Sequence, residues 1–205
     1  PKPQTPNPNP FLRVLIIILI SNFNYYFMRI AILGGSFNPP TKAHFQIAKY
    51  LIDSNLTDKL FFVPCGKRED KPNLIDGRIR IEMLKVGCES LFNKSPSIIT
   101  SSNVQNLDLF KNNIYIDDYE ISLGGQLIPT AILLKHYQYV MNKNMFRFVI
   151  GSDLIEYLSQ WEFYNEILKD YPFFIIERDD YMPENEKRPR NNILIKLKGM
   201  NKLIS

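Results

Sequence analysis

The stretch MRIAILGGSFNPPTKAH, residues 28–44, decides the fold of this chain of 205 residues. Residues 29–33 form a short apolar run with two isoleucines, which is typical of a buried parallel strand. Two glycines follow, and they let the backbone turn tightly and approach a ligand closely, because glycine has no Cβ. Pro39 and Pro40 end the extended segment, and Thr41 is a suitable N-cap for a helix. The stretch therefore predicts a strand, a tight loop and a helix in direct succession.

The predicted helix brings a histidine to the carboxyl end of the first strand. His44 lies three residues after Thr41 and shares its helical face, while the apolar stripe must pack on the sheet (Ile47, Ala48, Leu51 and Ile52). In open α/β sheets, ligands bind at the carboxyl ends of the strands. Backbone N–H groups at a helix start, together with an imidazole, suit a phosphate. The alternative interpretation is a plain βα turn with a capping threonine and an incidental histidine.

Strand and helix patterns alternate along the rest of the chain. Strands are predicted at residues 59–64, 114–116, 145–150, 171–177 and 193–197, and helices at 41–53, at 76–91 and after Pro129. In the second helix, the residues expected to face the core are Ile79, Met83, Leu84 and Val86. This alternation predicts an α/β fold, a doubly wound parallel sheet in a single domain.

A second strand–glycine–helix unit follows residues 145–150. The strand runs directly into Gly151, Ser152 and Asp153, so a second phosphate or ribose site can lie beside the first. The carboxylate of Asp153 can accept hydrogen bonds from ligand hydroxyls, or it can cap its own helix. Trp161, the only tryptophan, can serve a ligand or simply pack in the core.

Composition excludes several classes of function. The net charge is +4, of which residues 1–27 contribute two positive charges and no acid, so no nucleic-acid partner is expected. Cys65 and Cys88 are far apart and have no metal-ligand spacing. They indicate free thiols in a reducing compartment, the cytoplasm or alternatively the nucleus. With two histidines in the chain, a histidine-rich metal site is excluded, and no metal-ligating residue is predicted.

Residues 1–27 differ from the remainder and are predicted to be an extension outside the fold. The first ten residues contain five prolines, which favours disorder or a polyproline conformation. The apolar run 14–20 is shorter than the roughly 20 residues of a membrane span, so no membrane partner is expected. Met28 stands where the first strand begins and is a candidate initiator, which assigns the folded domain to residues 28–205.

The motif GSFNPPTKAH resembles that of the (H/T)xGH nucleotidylyltransferases. Thr41 takes the T position, Ala43 replaces the usual glycine, and His44 is the final histidine. The resemblance extends to the nicotinamide/nicotinate-mononucleotide adenylyltransferases through the order of further motifs. These are FVP at 62–64 followed by Lys71-Pro72, Arg80 in RIEML, FVIGSDL at 148–154, Trp161, and the FFIIER run ending at Arg178.

This resemblance implies a Rossmann-like nucleotidylyltransferase fold and one reaction. The adenylyl group of ATP, a substrate, passes to nicotinamide or nicotinate mononucleotide, giving NAD or its deamido form and pyrophosphate. Such a transfer needs aligned phosphates and neutralised charge rather than a protein nucleophile. The expected cofactor is Mg²⁺, which would bridge the ATP phosphates through substrate oxygens and water. The resemblance leaves a homo-oligomer open.

The same resemblance implies which residues form the site. Thr41, His44 and Lys71 would contact phosphates, with His44 stabilising the transition state. Gly151 and Asp153 would hold the nucleotide ribose. The full set of implied binding residues is Gly34, Gly35, Ser36, Phe37, Thr130, Gly151, Asp153, Trp161 and Arg178, with Thr130 as the candidate contact to the pyridine ring.

Two departures from the family pattern leave alternatives open. Residues 126–130 lack the aromatic or hydroxyl-rich stretch that is usual before the third helix. The chain also stops at Ile204-Ser205, two residues into an ISSTxxR-type motif that grips the ATP phosphates, so a C-terminal truncation and reduced activity are expected. The alternatives are an adenylyltransferase of the pantetheine-phosphate type and a non-catalytic nucleotide-binding relative.

Overall fold

The computed structural model describes residues 27–100, 103, 112–124, 126–178 and 192–196. Residues 1–26 of the predicted extension 1–27 and the C-terminal motif at 204–205 lie outside these ranges. The strands are β1 Arg29–Gly35, β2 Lys59–Pro64, β3 Ser97–Ile99, β4 Ile114–Asp117, β5 Met145–Gly151, β6 Phe173–Ile176 and β7 Ile193–Ile195. The helices are α1 Lys42–Asp53, α2 Gly77–Phe92, α3 Tyr119–Ser122, α4 Thr130–Val140, a 3-10 helix Ser152–Gln160, and α5 Tyr164–Asp170.

The seven strands form one sheet in the order β3-β4-β2-β1-β5-β6-β7. Every neighbouring pair is parallel. The chain builds outward from β1 to one edge and then crosses to β5 on its other side, so the predicted doubly wound sheet is confirmed. Since Leu33 of β1 lies opposite Val149 of β5, the loops that follow these two strands emerge side by side.

Helices cover both faces of the sheet, which explains why β2 is buried at all six positions. On one face, Phe61 packs in a cluster with Tyr137 of α4 and Ile167 of α5. On the other, Phe62 packs with residues of α1 and α2, including Leu51. Cys65 and Cys88 are buried and free, as predicted. Among the helices of the described ranges, none has the length and apolar character that crossing a membrane requires.

The burial of α2 differs from the prediction. Leu84 is buried, but Ile79 and Val86 are 51% and 66% exposed, so the core prediction for these two residues is wrong. The buried stripe consists of Arg80, Ile81, Leu84 and Cys88. The helix is rotated toward Arg80 because this side chain reaches inward to backbone carbonyls. Ile79 and Val86 instead border an open apolar cleft of about 460 Å³.

Candidate functional site

The β1–α1 loop, residues 35–41, is shaped by one aromatic side chain. Phe37 has a left-handed backbone, with φ of 47°, and its ring is 1% exposed. A Cβ on Gly35 would lie 3.2 Å from that ring, and one on Gly34 would lie 3.2 Å from the ring of Phe148. Both positions therefore favour glycine, and the loop backbone stays open toward the carboxyl edge of the sheet.

His44 is held in one orientation by the start of its own helix. Thr41 is the N-cap of α1, as predicted. Its backbone N–H donates to His44 Nδ1 over 2.9 Å, and its hydroxyl oxygen lies 2.9 Å from the same atom. Burial, with a smaller contribution from the nearby Arg178 charge, lowers the pKa of His44 to about 4. The imidazole is thus neutral at neutral pH and carries its proton on Nε2, where it can donate to a ligand.

The second strand–glycine–helix unit, Gly151 to Asp153 after β5, lies beside the first because β5 is the neighbour of β1 in the sheet. Arg178 follows β6, and its Nη1 donates to Asp153 Oδ2 over 3.2 Å. Its backbone N–H donates to Ser152 Oγ over 2.9 Å. Gly151 is the N-cap of the 3-10 helix, and Asp153 lies in the first turn of that helix. A Cβ on Gly151 would lie 2.2 Å from Asp153 Oδ1, so a larger residue there would displace the carboxylate.

Two buried polar atoms in this unit have no hydrogen-bond partner among the residues that the structure describes. They are Asp153 Oδ1 and Arg178 Nε. Buried polar groups are nearly always paired, so an acceptor and a donor left unpaired beside each other suggest a ligand that supplies both partners. A ribose hydroxyl can donate to the carboxylate, and a phosphate oxygen can accept from the guanidinium.

The lysine loop, residues 65–76, docks on the β1–α1 loop. Lys71 Nζ lies 3.2 Å from Ser36 Oγ. Asn38 bridges the same two loops, because its amide donates to Asn73 O over 3.2 Å and accepts from the Ile75 backbone over 3.3 Å. The predicted lysine therefore lies at the end of β1, next to the glycine turn.

Two buried charged residues brace this arrangement, and the sequence-based site did not include them. Arg80 is 2% exposed and Glu120 is 5% exposed. Glu120 Oε2 accepts from the Gly66 backbone over 2.8 Å and from that of Ile128 over 3.5 Å, and burial raises the pKa of this carboxyl. Glu120 thus joins the start of the lysine loop to the segment before α4. The only sequence signal for Arg80 was its place in RIEML.

Thr130 and Trp161 are less closely tied to the site. Thr130 is the first residue of α4, and within the described ranges no hydrogen bond links it to His44 or Arg178. Trp161 packs edge-on against Phe148, with ring centroids 6.1 Å apart. Because the Phe148 ring borders Gly34, Trp161 supports the wall behind the glycine turn, which favours its packing interpretation.

The charges around the site are suited to anionic ligands. A cavity of about 890 Å³ lies along the lysine loop and is bordered by five cationic side chains and two acidic ones. The cationic side chains are Lys67, Arg68, Lys71, Arg78 and Arg80. Within the described ranges there is no group of three His, Cys, Asp or Glu residues that could hold a metal. A divalent ion here would take its oxygen ligands chiefly from phosphates and water, which Mg²⁺ accepts readily.

Several known proteins are similar to this chain in sequence and in fold. The sequence profile of the Cytidylyltransferase-like family matches residues 32–193. A probable nicotinate-nucleotide adenylyltransferase of Fusobacterium nucleatum is 30% identical over 176 residues, covering 82% of this chain and 79% of that protein. A relative with the same description from Clostridium botulinum strain Langeland is 28% identical over 169 residues, covering 81% of this chain and 74% of its own.

A solved structure agrees with these relatives. The nicotinic acid mononucleotide adenylyltransferase of Plasmodium falciparum, complexed with NaAD, is 28% identical and superimposes with a TM-score of 0.65. The match covers 84% of this chain and 77% of the Plasmodium chain. The chain described here therefore belongs to the Cytidylyltransferase-like family, and within it to the nicotinate-nucleotide adenylyltransferases.

Proposed function

We propose that the protein transfers the adenylyl group of ATP to nicotinate mononucleotide, forming the deamido dinucleotide and pyrophosphate in NAD biosynthesis. The observation that supports this most directly is His44, whose Nε2–H is directed by the Thr41 bond and lies near Arg178. The names of the relatives in two bacteria and in Plasmodium favour the acid form of the mononucleotide over the amide. Its substrates would be small nucleotides and its compartment the cytoplasm.

The chemistry requires alignment and charge neutralisation. A 5′-phosphate oxygen of the mononucleotide attacks the α-phosphorus of ATP, and the bond from that phosphorus to the bridging oxygen breaks as pyrophosphate leaves. Negative charge shifts onto the leaving group in the transition state, so a directed donor there lowers the barrier. His44 Nε2–H is the proposed donor, and negative charge on bound phosphates would raise the pKa of His44 from its low value of about 4.

The other site residues bind and orient the two substrates in this proposal. The backbone of Gly34 to Phe37 lines the ATP phosphates together with Thr41, and Lys71 contacts phosphate as a point charge. Asp153 beside Gly151 accepts from ribose, and Arg178 faces the mononucleotide. Trp161 and Thr130 border the pyridine side. Mg²⁺ bound by the triphosphate would neutralise charge and hold the phosphates in a reactive arrangement.

The proposal is tested by supplying the purified chain with ATP, Mg²⁺ and one acceptor at a time. The acceptors are nicotinate mononucleotide, nicotinamide mononucleotide and 4′-phosphopantetheine, with products separated by chromatography and pyrophosphate measured independently. We expect the deamido dinucleotide and pyrophosphate in equal amounts, with the acid the best acceptor. Transfer to phosphopantetheine alone, or mononucleotide binding without any pyrophosphate release, would contradict the proposal and favour one of the two alternatives.

A further inference from the structure

We infer that Arg80 is a positioning residue that fastens the β1–α1 loop and the lysine loop into one unit. On the function proposed above, the first loop serves ATP and the second serves a phosphate beside it. Arg80 would then set the distance between the groups that bind the two substrates without touching either one. The contacts of its guanidinium support this role.

Each guanidinium nitrogen of Arg80 donates to a carbonyl in a different stretch of backbone. Nη1 donates to Ser36 O over 2.8 Å, Nη2 to Cys65 O over 2.8 Å, and Nε to Ile75 O over 3.0 Å. These carbonyls lie just after β1, just after β2 and at the end of the lysine loop. Since the guanidinium is planar and rigid, three bonds from it fix the relative placement of all three stretches.

Ser36 is the point where this brace reaches the site. Its carbonyl accepts from Arg80, while its hydroxyl oxygen accepts from Lys71 Nζ over 3.2 Å. A second link joins the same stretches, because the Cys65 backbone donates to Gly35 O over 2.9 Å. The position of the Lys71 ammonium therefore depends on Arg80 through one intervening residue.

The guanidinium of Arg80 is a buried positive charge. Its side chain is 2% exposed, and within the described ranges its partners are neutral carbonyls, with no carboxylate among them. A buried charge without a counter-charge is costly. Such a residue is best tolerated where anions arrive, and substrate phosphates at the two loops would supply that negative charge.

The test compares Arg80→Lys and Arg80→Met with Lys94→Met in the full chain. Lys94 is an exposed lysine just after the other end of the same helix and does not border the cavity, so its loss removes a charge without touching the brace. Affinity for nicotinate mononucleotide is measured by calorimetry and turnover at steady state, both per folded molecule. We expect both Arg80 variants to lose at least about tenfold in kcat/KM for each substrate. Lysine should not restore activity, because one ammonium cannot span three carbonyls. Lys94→Met should stay within about twofold of wild type.

Two further measurements separate positioning from simple stabilisation. In the double variant Arg80→Lys/Lys71→Met, the fold-loss in kcat/KM should be smaller than the product of the fold-losses of the two single variants. The reason is that the two residues act through Ser36. Hydrogen exchange of the amides at residues 66–75 should accelerate in Arg80→Lys and not in Lys94→Met. Wild-type kcat/KM in folded Arg80→Lys, multiplicative losses, or unchanged exchange would each overturn the inference. If the wild-type chain makes no dinucleotide, the proposed function fails, while the exchange experiment still decides the role of Arg80.

Discussion

The imidazole of His44 accepts a hydrogen bond from the backbone of Thr41, the cap of its own helix, over 2.9 Å. This bond occupies Nδ1, so the neutral ring has its proton on Nε2. The ring edge of Phe37, with centroids 5.0 Å apart, limits rotation from the other side. The helix start thus selects one tautomer and one direction for the donor before any ligand binds.

Replacing His44 with alanine should lower kcat by roughly 10²–10³, the usual effect of losing one transition-state donor. The fold should persist, because this ring is only half-buried. Circular dichroism and the thermal midpoint measure whether it does. His136→Ala is the matched control, because His136 is the other histidine and stacks on Tyr119 away from the loops. Turnover of His44→Ala within twofold of wild type would refute the proposed role.

The titration of His44 provides a second test. Its pKa of about 4 in the folded, ligand-free protein lies below the ordinary value of 6.5. The unfolded chain therefore binds more protons between these values, and stability from this site falls as the pH drops from about 6.5 toward 4. NMR of the ring protons should show the low pKa, the Nε2–H tautomer, and an upward shift of the pKa on ATP binding. An ordinary pKa without ligand would contradict the burial seen here.

Gly151→Ala should disturb the Arg178–Asp153 ion pair at the proposed ribose site. The added Cβ would lie 2.2 Å from Asp153 Oδ1 and 3.1 Å from Arg178 Nε, so the carboxylate must move. Charge-assisted contacts contribute about 1.5–3 kcal/mol each, which predicts at least tenfold weaker mononucleotide binding by calorimetry. Ser159→Ala, an exposed change on the same 3-10 helix, should leave affinity unaltered. Equal affinity in Gly151→Ala and wild type would mean that the ligand does not use this pair.

Asp117→Asn should change how stability depends on pH. Burial raises the pKa of Asp117 to about 6, although Tyr137 OH donates to it over 2.6 Å. Since the folded pKa exceeds the unfolded one, the stabilising contribution is present below about pH 4 and is lost as the pH rises through 6. The free energy of unfolding of wild type should fall by about 3 kcal/mol more than that of Asp117→Asn over this window. Chemical denaturation measures it, with Asp170→Asn as an exposed control; parallel profiles would disprove the raised pKa.

Local sequence patterns predicted the fold well where the local conformational preference of a segment agrees with its packing in the sheet. The predicted strand 59–64 coincides with β2, and Thr41 is the cap of α1, because apolar runs and capping residues act within a few positions. For α2 the apolar pattern failed. Ile79 was expected to face the core. Arg80 faces it instead, because its guanidinium donates to backbone carbonyls that are distant in the sequence.

The grouping of the candidate residues was predictable where a motif follows a strand. Asp153 and Arg178 lie just after strand ends, and His44 lies in the first turn of the helix that follows β1. The parallel sheet brings those strand ends to one edge, while the roles of the three residues stay predictions. Glu120 and Arg80 could not be found this way, because their partners are backbone groups in other loops, 54 residues away for Gly66 and 44 for Ser36. Backbone groups are the same in every residue, so no sequence pattern marks them as partners.

The central position of β1 has a consequence for how the protein is made. Its neighbour β5 is synthesised much later. The hydrogen bond from the Met28 backbone to the Asn144 side chain, just before β5, joins residues that are 116 positions apart. On the ribosome, β1, α1 and β2 emerge long before β5, so the nascent chain exposes one edge of its central strand during synthesis. Pairing across such a separation is intrinsically slow. If nucleotides bind as proposed, they would stabilise the folded chain but would not guide its early folding, because Arg178 is still untranslated when the glycine turn first forms.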